Sequence, residues 1–171
     1  KSGASILEQW LNFDVEYDLL EIKLDKEIKI VPLLMLQEFS INTPGQEQVF
    51  YQPCDNYYYE QKVPLTGLCE VLEPNYYGLI LRFMTDIKES TYIPVLDMGN
   101  KEDEMIVRKK LYITKGDFAI EIPQKKQSFV KLYPERIDDL NSYIKERKLN
   151  HRNVRDLLII LSFLNENKAF Q

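Results

Sequence analysis

The hydrophobic period of this chain changes once, near Lys125, and that change sets its fold class. Upstream, apolar and polar residues alternate, the two-residue period of strands with one buried face. Downstream, apolar residues recur every three or four positions, as on an amphipathic helix. Leu11-Asn12-Phe13-Asp14-Val15-Glu16-Tyr17 alternates without a break. Leu20-Glu21-Ile22-Lys23-Leu24 and Ile28-Lys29-Ile30 repeat the pattern on either side of Asp25-Lys26-Glu27. That spacing predicts a hairpin whose strands aim their aliphatics at the same face. Further strands are expected over 37–41, 48–51, 68–72, 78–83, 106–113 and 118–122. Thr43-Pro44-Gly45 breaks the chain, and Lys115-Gly116-Asp117 is the strongest tight-turn signal, Gly116 supplying a positive φ.

Past Lys125, Leu132-Tyr133-Pro134-Glu135-Arg136-Ile137 opens a helix, with Pro134 in the first turn, where its missing N–H has no helical partner. Ile137, Leu140 and Ile144 share one face; Glu135, Asp138 and Asp139 complement the start of the dipole, and Lys145, Arg147 and Lys148 its end. A second helix, expected over 150–165, buries Val154, Leu157, Leu158, Leu161 and Leu164. The expectation is a single α+β domain over 1–171, a β-rich body (1–124) carrying a helical tail (125–171). Its antiparallel sheet, rolled into a partial barrel or sandwich, is followed by a C-terminal helical hairpin.

Charge narrows the partners. From Lys125 onward there are ten Lys/Arg against six Asp/Glu; residues 1–124 hold twelve against twenty-one. An acidic body with a modestly basic tail lacks the basic domain and aromatic or Arg-rich readout of a nucleic-acid binder. The longest apolar run, Leu157-Leu158-Ile159-Ile160-Leu161, is far too short to span a bilayer. Lys1 is not an initiator Met, so a segment upstream of this sequence is expected, and the lack of a signal peptide here is no evidence for a cytoplasmic location.

No catalytic or cofactor signature is present. The one histidine, His151, falls at the expected start of the last helix, the position of a solvated or capping side chain. With no second His and no Cys-x-x-Cys, zinc has no ligand set, and no Gly-x-Ser-x-Gly or glycine-rich phosphate cradle occurs. The acids of 97–104 depart from the calcium-loop order and read as a charged turn. No cofactor and no metal are expected. Cys54 and Cys69 are too few for a disulfide scaffold; they either pair across the segment holding Tyr57-Tyr58-Tyr59 or stand as unrelated thiols. Tyr57, Tyr58, Tyr59, Tyr76 and Tyr77 cluster in or beside loops, 53–64 reading as a surface loop. A tyrosine offers a flat apolar face and a hydroxyl, suited to protein or sugar contacts, and equally to sheet rims. These five are the candidate binding surface.

The ordered pieces resemble a family. Asn12-Phe13-Asp14-Val15-Glu16-Tyr17-Asp18-Leu19-Leu20-Glu21-Ile22-Lys23, Ile28-Lys29-Ile30-Val31-Pro32 and Glu38-Phe39 are similar to the N-terminal β region of uncharacterised secreted proteins of Bacteroidetes. Gly67-Leu68-Cys69-Glu70-Val71-Leu72 with Gly78-Leu79-Ile80-Leu81 resembles their central hairpin, and Leu111-Tyr112-Ile113-Thr114-Lys115-Gly116 and Phe129-Val130-Lys131-Leu132-Tyr133-Pro134 a later strand and the entry to their tail. Ile144-Lys145, Leu149-Asn150 and Asp156-Leu157 continue the match to a Leu-rich helix ending in an Asn, here Asn165. The tail Lys148-Leu149-Asn150-His151-Arg152 is less basic than theirs. The resemblance implies a signal-bearing precursor, a periplasmic or cell-envelope location and no established activity. The functional expectation is therefore a non-enzymatic envelope protein that binds a protein or cell-wall component. The alternatives are an apolar-ligand carrier with a lipocalin-like cavity and, third, a carboxylate-dependent hydrolase.

Overall fold

The two periods become eleven strands and three helices among residues 10–43, 45, 47–59 and 63–166, which a computed structural model describes. In chain order the strands are β1 (Trp10–Asp14), β2 (Leu19–Leu24), β3 (Glu27–Pro32), β4 (Phe39–Ile41), β5 (Val49–Pro53) and β6 (Tyr58–Tyr59). There follow β7 (Val63–Pro64), β8 (Leu68–Glu73), β9 (Tyr77–Lys88), β10 (Glu104–Lys115) and β11 (Phe118–Glu121). The helices are α1 (Lys126–Val130), α2 (Ile137–Glu146) and α3 (Val154–Glu166), so the chain is an α+β protein. The described residues gather in two compact units, the first within 1–54, 66–69 and 82–110, the second within 55–65, 70–81 and 111–171.

In the first unit, β1, β2 and β3 form an antiparallel meander, and β4, β5 and β8 to β10 follow one another in the second sheet. Strand β1 stops three residues short of Tyr17. The Asp14 carboxylate accepts the N–H groups of Glu16 and Tyr17 at 3.0 and 3.1 Å, and this Asx turn replaces ladder pairing. The β2–β3 hairpin corrects the expected facing. Leu24 pairs with Glu27 across a two-residue turn, Asp25 at φ +52°, rather than with Ile28 across three. A one-residue change of register turns every side chain over. Ile28 and Ile30 consequently lie opposite Lys23 and Glu21 and are exposed, on the face that carries Trp10, while Leu11, Phe13, Leu20 and Ile22 share the other.

Cys54 and Cys69 form a disulfide with Cα atoms 5.3 Å apart, both thoroughly buried. Beside it the Cys54 N–H donates to the Gly67 carbonyl at 2.8 Å. Gly67 has φ +88°, and a Cβ there would sit 2.8 Å from the Phe83 carbonyl oxygen, so both the turn and the close strand require glycine.

In the second unit the sheet runs β8, β9, β10, β11, β6, β7. The segment expected as a loop over 53–64 instead holds a 3₁₀ turn at Cys54–Asn56 and two short strands. β6 pairs with β11 in parallel, Phe118 beside Tyr58 and Ala119 beside Tyr59, and β7 pairs with β6 antiparallel. The tail carries three helices, because Phe129 and Val130 of α1 are themselves core residues. Leu79 and Ile113 from the sheet pack with Phe129, Tyr133, Leu140, Ile144, Leu157, Ile160, Leu161 and Leu164. The last helix begins at Val154 rather than near Asn150. Asn153 caps it, its Oδ1 accepting the N–H groups of Arg155 and Asp156 at 3.0 and 3.2 Å, while Asp156 accepts the Asn150 N–H at 2.8 Å.

Candidate functional site

Each unit carries its own surfaces. In the second, the predicted tyrosines converge on the β10–β11 turn, which sequence spacing alone does not require. The Tyr58 N–H donates to the Asp117 carbonyl at 2.8 Å and the Gly116 N–H to the Tyr76 carbonyl at 2.9 Å, so both tyrosine groups are fastened to one hairpin tip. Tyr58, Tyr76 and Phe118 are exposed there. Tyr57, Tyr59 and Tyr77 are half-buried. Tyr59 meets Tyr112 edge-on, and Tyr77 meets Tyr76 and Tyr133 edge-on with centroids 5.0 and 5.2 Å away. The series continues through Phe129 to His151, whose ring lies 5.0 Å from that of Phe129. His151 is buried, with Nε2 2.9 Å from the Pro123 carbonyl oxygen to which it donates, so it is a packed core residue rather than a solvated one.

The first unit holds a further surface, which joins the charged turn expected over 97–104 to the apolar residues just before it. Between β9 and β10 the chain narrows to a tip in which the Ile93 N–H donates to the Met98 carbonyl at 2.8 Å. A polar frame holds its base. The Tyr92 hydroxyl donates to Asp97 Oδ1 at 2.8 Å, Lys101 pairs with the same oxygen at 3.0 Å and lies over the Tyr92 ring, and Ser90 bonds Asp103 and Asn100. The Tyr92 hydrogen bond, then that of Lys101, holds the Asp97 carboxyl below the usual carboxylate range. At Gly99, φ +98°, an added Cβ would run into the Thr91 carbonyl. This frame presents Val95, Leu96 and Met98 to solvent, 92%, 61% and 64% exposed. In sequence, Glu89, Asp97, Glu102, Asp103 and Glu104 flank these apolar side chains, with Lys88 and Lys101 the basic residues beside them and Lys88 paired with Glu104. The legible signal was Tyr92-Ile93-Pro94-Val95-Leu96, an apolar run interrupted by proline and claimed by no strand alternation.

The first unit also contains a cleft of about 230 Å³. Leu11, Phe13 and Leu20 of the meander, Val15 after β1, Phe39 and Ile41 of β4, Tyr51 of β5, Leu68 of β8 and Phe83 of β9 line it. The Tyr51 phenol is the polar group among these side chains, so the lining places no carboxylate or amine where general acid–base chemistry would need one. Among the described residues no cluster of three or more His, Cys, Asp or Glu could hold a metal ion, and no helix is long and apolar enough to cross a membrane. No protein-family model matches the chain, and neither a curated protein nor a solved structure is detectably similar to it.

Proposed function

We propose that this protein is a non-catalytic binding module whose β9–β10 tip docks into an apolar, basic-rimmed recess of a partner protein. The observation that carries the reading is the polar frame of the tip, whose arrangement leaves Val95 92% exposed. Single exposed apolar side chains are common on protein surfaces, but Ile93, Val95, Leu96 and Met98 are exposed together on one hydrogen-bonded tip, the arrangement of a contact surface. The net-acidic sequence flanking the tip favours a partner rim rich in Lys and Arg and disfavours an anionic membrane surface. The tyrosines and Phe118 at the β10–β11 turn are a secondary contact surface in this reading. The Cys54–Cys69 disulfide supports an oxidising location such as the periplasm or cell envelope.

The test places a photo-crosslinking residue at Val95 or, as a control, at exposed Lys145. A discrete protein adduct at Val95 that is absent at Lys145 and lost with L96D is expected. Identical adducts at both positions, or co-sedimentation with vesicles in place of a protein adduct, would overturn the proposal.

A second observation favours carriage of a small apolar molecule. Apart from the Tyr51 phenol, the side chains lining the cleft of the first unit are hydrocarbon, the kind of surface that such a ligand needs.

A further inference from the structure

Resting on the cleft as a ligand site, we infer that its occupant is a medium-chain carboxylate, the alkyl tail in the cleft and the carboxylate at Lys109. Volume sets the tail. An apolar protein cavity of about 150 Å³ takes up benzene, with its six carbons. By that measure 230 Å³ suits a chain on the order of eight to ten carbons. Polarity excludes a peptide occupant. Each residue of a bound peptide brings an N–H and a C=O that need partners, and of the lining side chains only Tyr51 carries a polar group.

Charge sets the head group. The Phe83 ring lines the cleft, and the Lys109 ammonium lies 5.0 Å from that ring's centroid. One aromatic side chain thus has hydrocarbon-lined space on the cleft side and a cation beside it. Lys109 is exposed and, among the described residues, forms no ion pair. The acids on the same two strands are already engaged, Asp86 by Arg108 at 2.6 Å and Glu104 by Lys88 at 3.2 Å. An arriving carboxylate therefore meets a cation without a competing intramolecular partner.

The experiment is a methyl-resolved NMR titration of the full chain with decanoate, and with decyltrimethylammonium as the same tail under the opposite charge. Decanoate is expected to shift the methyl signals of Leu11, Leu20, Ile41 and Leu68 and leave those of Val95 and Val107 in place. It should bind at least ten-fold more tightly than the cationic ligand, and K109E should abolish or reverse that preference. Lys109 is exposed, so this variant leaves the core untouched. Equal affinity for the two ligands, or a preference unchanged in K109E, would overturn the carboxylate assignment while leaving the cleft as an apolar-ligand site. Absence of cleft shifts with both ligands would overturn the assignment and the ligand-carriage reading together.

Discussion

Asn165, near the end of α3, grips the backbone of Tyr77 on both sides. Its Oδ1 accepts the Tyr77 N–H at 3.1 Å and its Nδ2 donates to the Tyr77 carbonyl at 3.0 Å. One side-chain amide thus satisfies both backbone groups of a residue 88 positions away, much as a neighbouring strand would. Two partly buried hydrogen bonds are worth about 2 kcal/mol together. N165A should lose about that much stability in equilibrium urea unfolding. N165D keeps an acceptor but sets a carboxylate against the Tyr77 carbonyl, and should do no better.

Cys54 and Cys69 close a loop with a sequence separation of 15. Constraining the unfolded chain over a loop of that size is worth about 3 kcal/mol. The double variant C54S/C69S should therefore unfold at lower urea than the oxidised parent, and reductant should move the parent and leave the variant where it is.

The Tyr133 hydroxyl is buried with no hydrogen-bond partner among the described residues. Y133F removes that uncompensated polar group and keeps the ring against Tyr77 and Phe129, so it should stabilise the protein by about 1 kcal/mol. Thermal unfolding at neutral pH checks this.

The same tyrosine gives a pH dependence. Burial first, and then the neighbouring Tyr77, push the Tyr133 phenol well above its ordinary value of 10.0. A pKa raised in the folded state means that its contribution is fully present below pH 10.0 and is lost as alkali rises toward the folded value, because the unfolded chain releases the proton first. Stability should fall above about pH 10, and the fall should be shallower in Y133F. Some should persist, because burial also raises the Tyr77 phenol.

Gly67 combines φ +88° with a strand carbonyl 2.8 Å from where a Cβ would sit. G67A should cost more than about 2 kcal/mol, since both the left-handed backbone and the close approach oppose a side chain. By contrast G45A, with φ +79° and open space around it, should cost less in the same urea assay.

Periodicity is a local property, and the local features were legible in the sequence. The switch at Lys125 set the fold class, Gly116 marked the β10–β11 turn, and the spacing of Leu140, Ile144, Leu157, Leu161 and Leu164 named residues that are buried. Other features depend on which distant segments meet or on which turn closes, and tertiary packing decided those. A two-residue rather than three-residue turn sent Ile28 and Ile30 to solvent, a difference that both sequence patterns allow. The disulfide needed the Cα atoms of Cys54 and Cys69 to come within 5.3 Å, and the two tyrosine groups reach one turn because β6 lies beside β11 in parallel and the Tyr76 carbonyl accepts the Gly116 N–H. Likewise the cleft draws its walls from six strands, and Val95 reads as one more apolar residue until its loop is seen to hold it out in water. Burial and exposure of such residues follow from long-range pairing, whose energy no short window of sequence contains.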